Sequence, residues 1–110
     1  MITIRTSKSF DVLALSLLGK EAYDDLIEFL ARNYLKGDII PGTGGVRKLR
    51  YARQGRGKSG GFRVIYYYYA DNRPIVPFTM FAKNEKANLS QAEKSELSSI
   101  VQEIKKEFRK

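Results

Sequence analysis

The chain has 110 residues, 43% of them hydrophobic and 29% charged, and carries a formal net charge of +8 with neither cysteine nor histidine. That length suits one domain with a modest core, and the missing residue types exclude disulfides, thiolate metal sites and imidazole ligands. No apolar run approaches the roughly 20 residues that span a bilayer, and a lysine and Asp11 inside any would-be signal segment argue against a leader. The expectation is a single cytoplasmic domain over residues 1–110, with no membrane, metal or cofactor.

In chain order, Ile2 and Ile4 alternate with polar residues and predict a short strand. Ser7 or Ser9 can cap a short helix carrying Phe10, Leu13 and Leu17, which Gly19 ends. From Lys20 to Tyr34 the apolar positions Tyr23, Leu26, Ile27, Leu30 and Tyr34 follow helical spacing, with Asp24, Asp25, Glu28 and Arg32 on the wet side. Two adjacent helices with a tight joint predict a helical hairpin. GDIIPGTGG (37–45) reads as loop. Strands follow over 46–52, 62–70 and 75–83, and apolar residues on both faces make the second of these central and covered on both sides. Ser90 and Glu93 form an S-x-x-E capping box ahead of a helix whose buried stripe is Leu97, Ile100, Val101, Ile104 and Phe108. The predicted fold class is α+β in the order β-α-α-β-β-β-α, a mainly antiparallel sheet with two N-terminal helices and one C-terminal helix.

The charge is concentrated. Residues 1–36 balance, whereas residues 46–63 hold Arg47, Lys48, Arg50, Arg53, Arg56, Lys58 and Arg63 with no acid. Such a block is the electrostatic footprint of a phosphate-binding surface. In the strand VRKLRY, alternation puts Lys48 and Arg50 on one face and Leu49 and Tyr51 on the other. Two cations so placed lie about 7 Å apart, close to the spacing of successive phosphates along a nucleic-acid strand. ARQGRGKS approximates a P-loop, but a P-loop must open a helix, and here GGFRVIYYYY continues as strand. The loop reads instead as a cationic rim.

Arg63 begins that strand on the face of Ile65, Tyr67 and Tyr69, where burying an arginine is costly unless it is paired or faces a ligand. Tyr66 to Tyr69 point alternately to opposite faces, so most belong to the core and at best one or two can stack on bases. Lys83-Asn84-Glu85-Lys86 ends the last strand, with Glu85 alone among cations. A kit of lysine, arginine, glutamate and tyrosine suits one reaction: RNA cleavage by the substrate's own 2′-hydroxyl, in which the protein positions the chain, neutralises charge and moves protons.

GTGGVRKLR, GRGKSGGFRVIYYYY, MFAKNEKANLS and a closing E-x-x-x-L helix together resemble the RelE/HigB superfamily of toxins from bacterial type II toxin–antitoxin systems, most closely its HigB-like branch. The resemblance covers about residues 40–105. It implies the RelE-type fold and metal-independent, ribosome-dependent cleavage of mRNA in the A site. The partners it implies are the 70S ribosome, mRNA and a cognate antitoxin, of helix-turn-helix type and encoded in the adjacent frame. On this basis Lys48, Arg50, Arg63, Lys83 and Glu85 are the catalytic candidates, and Arg47, Arg53, Arg56, Lys58 and Lys86 the RNA- or ribosome-binding ones. In the family's best-known branch a C-terminal tyrosine stacks on the substrate base, and other branches use a histidine. Here Asn84 stands in the place of an arginine, no tyrosine follows and histidine is missing. Glu85 and Lys83 are therefore the candidates for the general base. The competing reading is a non-catalytic RNA- or ribosome-binding module using the same basic surface.

Overall fold

The computed structural model describes residues 2–52, 61–86 and 88–110, and among them no helix is long and apolar enough to cross a membrane. Helix α1 (Lys8–Asn33) starts where Ser7, in extended backbone, accepts the Phe10 N–H on its hydroxyl at 3.1 Å. Inside the run Gly19 takes φ 80° and ψ 168°, a region that essentially only glycine enters. In a straight helix Asp11 and Tyr23 would lie about 18 Å apart. Instead the Tyr23 hydroxyl donates to the Asp11 carboxylate, which also accepts from Thr6 Oγ1 at 3.1 Å. The chain therefore folds back at Gly19, and both arms send side chains (Phe10, Ala14, Leu26, Leu30) into one apolar cluster. The expected count of three helices is corrected to two. The break is one residue wide, so the two N-terminal helices are arms of a single element.

Strands β1 (Asp38–Ile39), β2 (Val46–Tyr51), β3 (Phe62–Tyr67) and β4 (Val76–Ala82) form one sheet in sequential order, every neighbouring pair antiparallel. β1 lies in the stretch expected to be loop. The expected first strand is reduced to an isolated parallel bridge, in which Ile75 N donates to Thr3 O and Arg5 N to Ile75 O, both at 2.8 Å. Pro77 interrupts the β3–β4 ladder where the register slips between Ile65 and Tyr66, on an edge strand that tolerates a residue without an N–H.

As its apolar pattern implies, β3 is covered on both faces. Leu49, Tyr51, Val64, Tyr66 and Met80 pack toward α1, while Val46, Ile65, Tyr67 and Phe81 pack toward α2 (Gln91–Phe108). The Tyr66 hydroxyl is buried beneath the end of α1, donating to Tyr34 O at 2.6 Å and accepting the Gly37 N–H at 3.2 Å. Burial pushes its pKa above the ordinary tyrosine value.

The capping box at α2 is complete. Glu93 N donates to Ser90 Oγ at 3.1 Å, and Ser90 N donates to Glu93 Oε1 at 2.8 Å. Leu97, Val101, Ile104 and Phe108 are buried, but Ile100 is 38% exposed. It sits at the margin of the stripe, over a groove between α2 and the β4 edge. The far end of α2 is tied down by Arg73, which donates to Phe108 O at 3.0 Å and Lys110 O at 2.9 Å, a cation at the negative end of the helix dipole.

Candidate nucleic-acid interface

The α2 face of the sheet is apolar near Val46 and Tyr67 and cationic toward the other end of the same strands. Period-two alternation places Lys48 and Arg50 on the face of Val46, and Arg63 on the face of Ile65 and Tyr67. The β2–β3 register sets Lys48 opposite Ile65 and Arg50 opposite Arg63, and the β3–β4 register sets Arg63 opposite Phe81. Like charges facing each other across a ladder repel, and an anion lying between or above the two side chains would relieve that repulsion.

Arg63 is the most constrained of these cations. Its side chain is half-buried, and its Nη1 is sealed from solvent with no hydrogen-bond partner among the described residues. A buried charged donor left unpaired costs about 1–3 kcal/mol or more. An acceptor such as a phosphate oxygen, were it to reach Nη1, would recover that cost. Arg50 is exposed, and Lys48 is half-buried, its Nζ 3.5 Å from the side-chain oxygen of Asn88. Lys83 and Glu85 are both exposed on the turn that leaves β4, at the end of the sheet where β3 begins with Phe62 and Arg63. Lys83 N donates to Gly61 O at 3.1 Å and Glu85 N to Ala82 O at 3.0 Å, and these two bonds fix that turn beside the start of β3.

Two candidates are engaged elsewhere. Arg47 shares the opposite face with Leu49 and Tyr51; its Nη1 donates to Leu35 O at 3.2 Å and Gly37 O at 3.0 Å, and its guanidinium lies 5.6 Å from the Tyr68 ring centroid. Arg47 thus closes the C-terminal end of α1 and stands apart from Lys48, Arg50 and Arg63. Lys86 is ion-paired to Glu93 at 2.5 Å and stacks over the Phe81 ring. The Lys86 ammonium and the Ser90 N–H together hold the Glu93 carboxyl below the usual carboxylate range. Arg53, Arg56 and Lys58 lie outside the described residues. The tyrosine run offers no stacking row: Tyr66 and Tyr67 are buried, Tyr68 donates to Asp71 at 2.9 Å and Tyr69 meets Phe108 edge-on.

Sequence reasoning missed Asn88, Glu93 and Phe81 as neighbours of the cationic group. Glu93 was visible only as a cap, because its pairing with Lys86 crosses a loop and follows no helical or strand period. A groove of about 500 Å³ opens between the start of α1, the β4 edge and α2, but its charged groups are the carboxylates of Glu93 and Glu96. That is the wrong sign for a phosphate. Among the described residues no cluster of carboxylates large enough to hold a metal ion occurs.

A family model described as the RelE toxin of the RelE/RelB toxin–antitoxin system matches residues 20–109. The matched span runs from the second arm of α1 to the end of α2 and includes each of the cations discussed above. The chain therefore belongs to the RelE family of toxins, whose counterpart is a RelB-type antitoxin.

Proposed function

We propose that this chain is a ribosome-dependent endoribonuclease that cleaves mRNA in the A site and thereby stops translation. The observation that carries this reading is the direct opposition of Arg50 and Arg63 on the α2 side of the sheet, with Arg63 Nη1 buried and without a hydrogen-bond partner among the described residues, in a chain of the RelE family. The substrate's 2′-hydroxyl attacks the adjacent phosphorus, and the bond to the 5′-oxygen breaks. One product ends in a 2′,3′-cyclic phosphate and the other begins with a 5′-hydroxyl. Negative charge grows on the non-bridging oxygens, where the Arg63 guanidinium fork grips two of them at once. Lys48 and Arg50 hold the flanking backbone in line. The proton leaving the 2′-hydroxyl and the one reaching the 5′-oxygen are handled from the β4–α2 turn, with Glu85 and Lys83 as base and acid.

The segments GGFRVIYY and KNEKANL support assignment to the HigB-like branch. The site of action is the cytoplasm, on the 70S ribosome, and the antitoxin is encoded in the adjacent frame and carries a helix-turn-helix. Purified protein added to ribosomes programmed with a defined mRNA tests the proposal. Cleavage within the A-site codon, leaving a cyclic phosphate, is expected. Binding without cleavage would replace the enzyme with a non-catalytic ribosome-binding module, and a 3′-hydroxyl product would refute the 2′-hydroxyl attack.

A further inference from the structure

Lys86 sits in a cationic neighbourhood, yet its surroundings are those of a strut. Its ammonium lies 2.5 Å from Glu93 Oε2 and 5.1 Å from the centroid of the Phe81 ring. The other oxygen of Glu93 is anchored by the Ser90 N–H at 2.8 Å, so the carboxylate is fixed to the start of α2 from two sides. Phe81, 8% exposed, stands directly opposite Arg63 in the β3–β4 register. Facing residues on one side of an antiparallel ladder have Cβ atoms about 4.5–5.5 Å apart, so the Phe81 side chain leaves the sheet beside that of Arg63, whose Nη1 is buried. Contacts run from the α2 cap through Glu93 and Lys86 to Phe81, and Phe81 is the cross-strand neighbour of Arg63.

From this line we infer that Lys86, locked over Phe81 by Glu93, is a positioning residue for Arg63 and not an RNA-binding cation. The inference rests on the cleavage reaction proposed above. An ammonium already neutralised by a short charge-assisted bond contributes no phosphate neutralisation, and reaching a phosphate would break that bond. Over the ring, the lysine stem and ammonium hold Phe81 in place and keep water from the dry side of Arg63. A guanidinium freed to shift by a fraction of an ångström loses the aim that the transition state needs.

The two roles predict opposite signs. Lys86→Ala, Glu93→Gln, the double variant and Lys86→Arg are compared on ribosomes programmed with a defined mRNA, for single-turnover rate and for affinity as a function of salt. Glutamine can still accept the Ser90 N–H, so the cap survives that change. For a positioning role each single substitution lowers the rate on the order of tenfold, and the double variant is no slower than either single. Lys86→Arg keeps the rate, because a guanidinium repeats both the ion pair and the ring contact. The salt slope stays that of wild type throughout. The inference is overturned if Lys86→Ala flattens the slope by about one unit while Glu93→Gln tightens binding, as freeing a phosphate ligand would. Unchanged rates in both single variants overturn it too. If wild type binds programmed ribosomes but cleaves nothing, the proposed activity is what fails, and the affinity measurements still decide whether Lys86 is a ligand.

Discussion

Gly37→Ala perturbs the joint between α1 and the central strand without touching a charge. Gly37 is not among the glycines with positive φ, so an alanine there is free of backbone strain and its effect is steric. The added Cβ would overlap the Tyr66 hydroxyl and lie 3.0 Å from the Tyr66 Cζ and 3.1 Å from the Lys48 carbonyl oxygen. The carbonyl belongs to the β2 ladder and cannot move alone, so the tyrosine must. Moving it breaks the part-buried bond to Tyr34 O at 2.6 Å and the buried one from Gly37 N at 3.2 Å. Overpacking costs about 1–3 kcal/mol, and unpairing buried polar groups about another 1–3 kcal/mol. At roughly 4 °C per kcal/mol for a domain of this size, Tm should fall by about 8–24 °C. Tyr66→Phe alone forfeits the same hydrogen bonds, but in the Gly37→Ala background it removes the overlapping oxygen. The double variant should therefore be more stable than the sum of the singles by about 1–2 kcal/mol. Thermal and urea unfolding of the four proteins measure this. A Gly37→Ala shift of only about 2 °C, far short of the fall derived from overpacking, or an additive cycle, would refute the reasoning.

The pH dependence follows from the same interactions. Lys86 and Ser90 lower the Glu93 carboxyl, so its stabilisation is present above the ordinary glutamate value and is lost as pH falls through the lowered one. Burial raises Tyr23 and Tyr66, so their contribution is present below the ordinary tyrosine value of about 10 and is lost as pH rises through the raised one. With no histidine in the chain, urea midpoints should be flat from about pH 6 to 9, and a step near neutrality would contradict this assignment. Changing Arg53, Arg56 and Lys58 together to alanine should weaken ribosome or RNA binding and flatten its salt dependence, by about one unit of slope for each phosphate that is no longer neutralised. An unchanged slope would remove those three residues from the interface.

How much of this was legible in the sequence depends on how local each signal is. β3 announced itself as central through apolar residues on both faces, and Ser90 with Glu93 marked the start of α2, because both patterns are complete within a few residues. β1 was hidden, since a two-residue strand such as Asp38–Ile39 gets its pairing from β2 and carries no period of its own. Gly19 signalled the break in α1, and the helical spacing from Lys20 showed that helix resumes on the next residue. At the interface, alternation separated Lys48 and Arg50 from Leu49 and Tyr51, and the same period carries Arg47 to the face of Leu49 and Tyr51. What spacing could not show is its pair of backbone acceptors, the carbonyls of Leu35 and Gly37. The opposition of Arg50 and Arg63 depends on cross-strand register across a loop, and the Lys86–Glu93 pair on how a turn meets a helix. Neither leaves a trace in spacing.

Whether Arg63 acts on the transition state is decided by single-turnover cleavage of ribosome-bound mRNA by wild type, Arg63→Lys and Arg63→Ala, with ribosome affinity measured in parallel. Losing one well-placed transition-state donor typically lowers a rate by about 10²- to 10³-fold. Arg63→Ala should show that loss with affinity nearly intact, because the other cations of the 46–63 block still hold the backbone. Arg63→Lys should also be slow, since a point charge cannot grip two oxygens in a fork. Equal rates for wild type and Arg63→Ala, or an affinity loss that accounts for the whole defect, would make Arg63 a binding residue and contradict the mechanism.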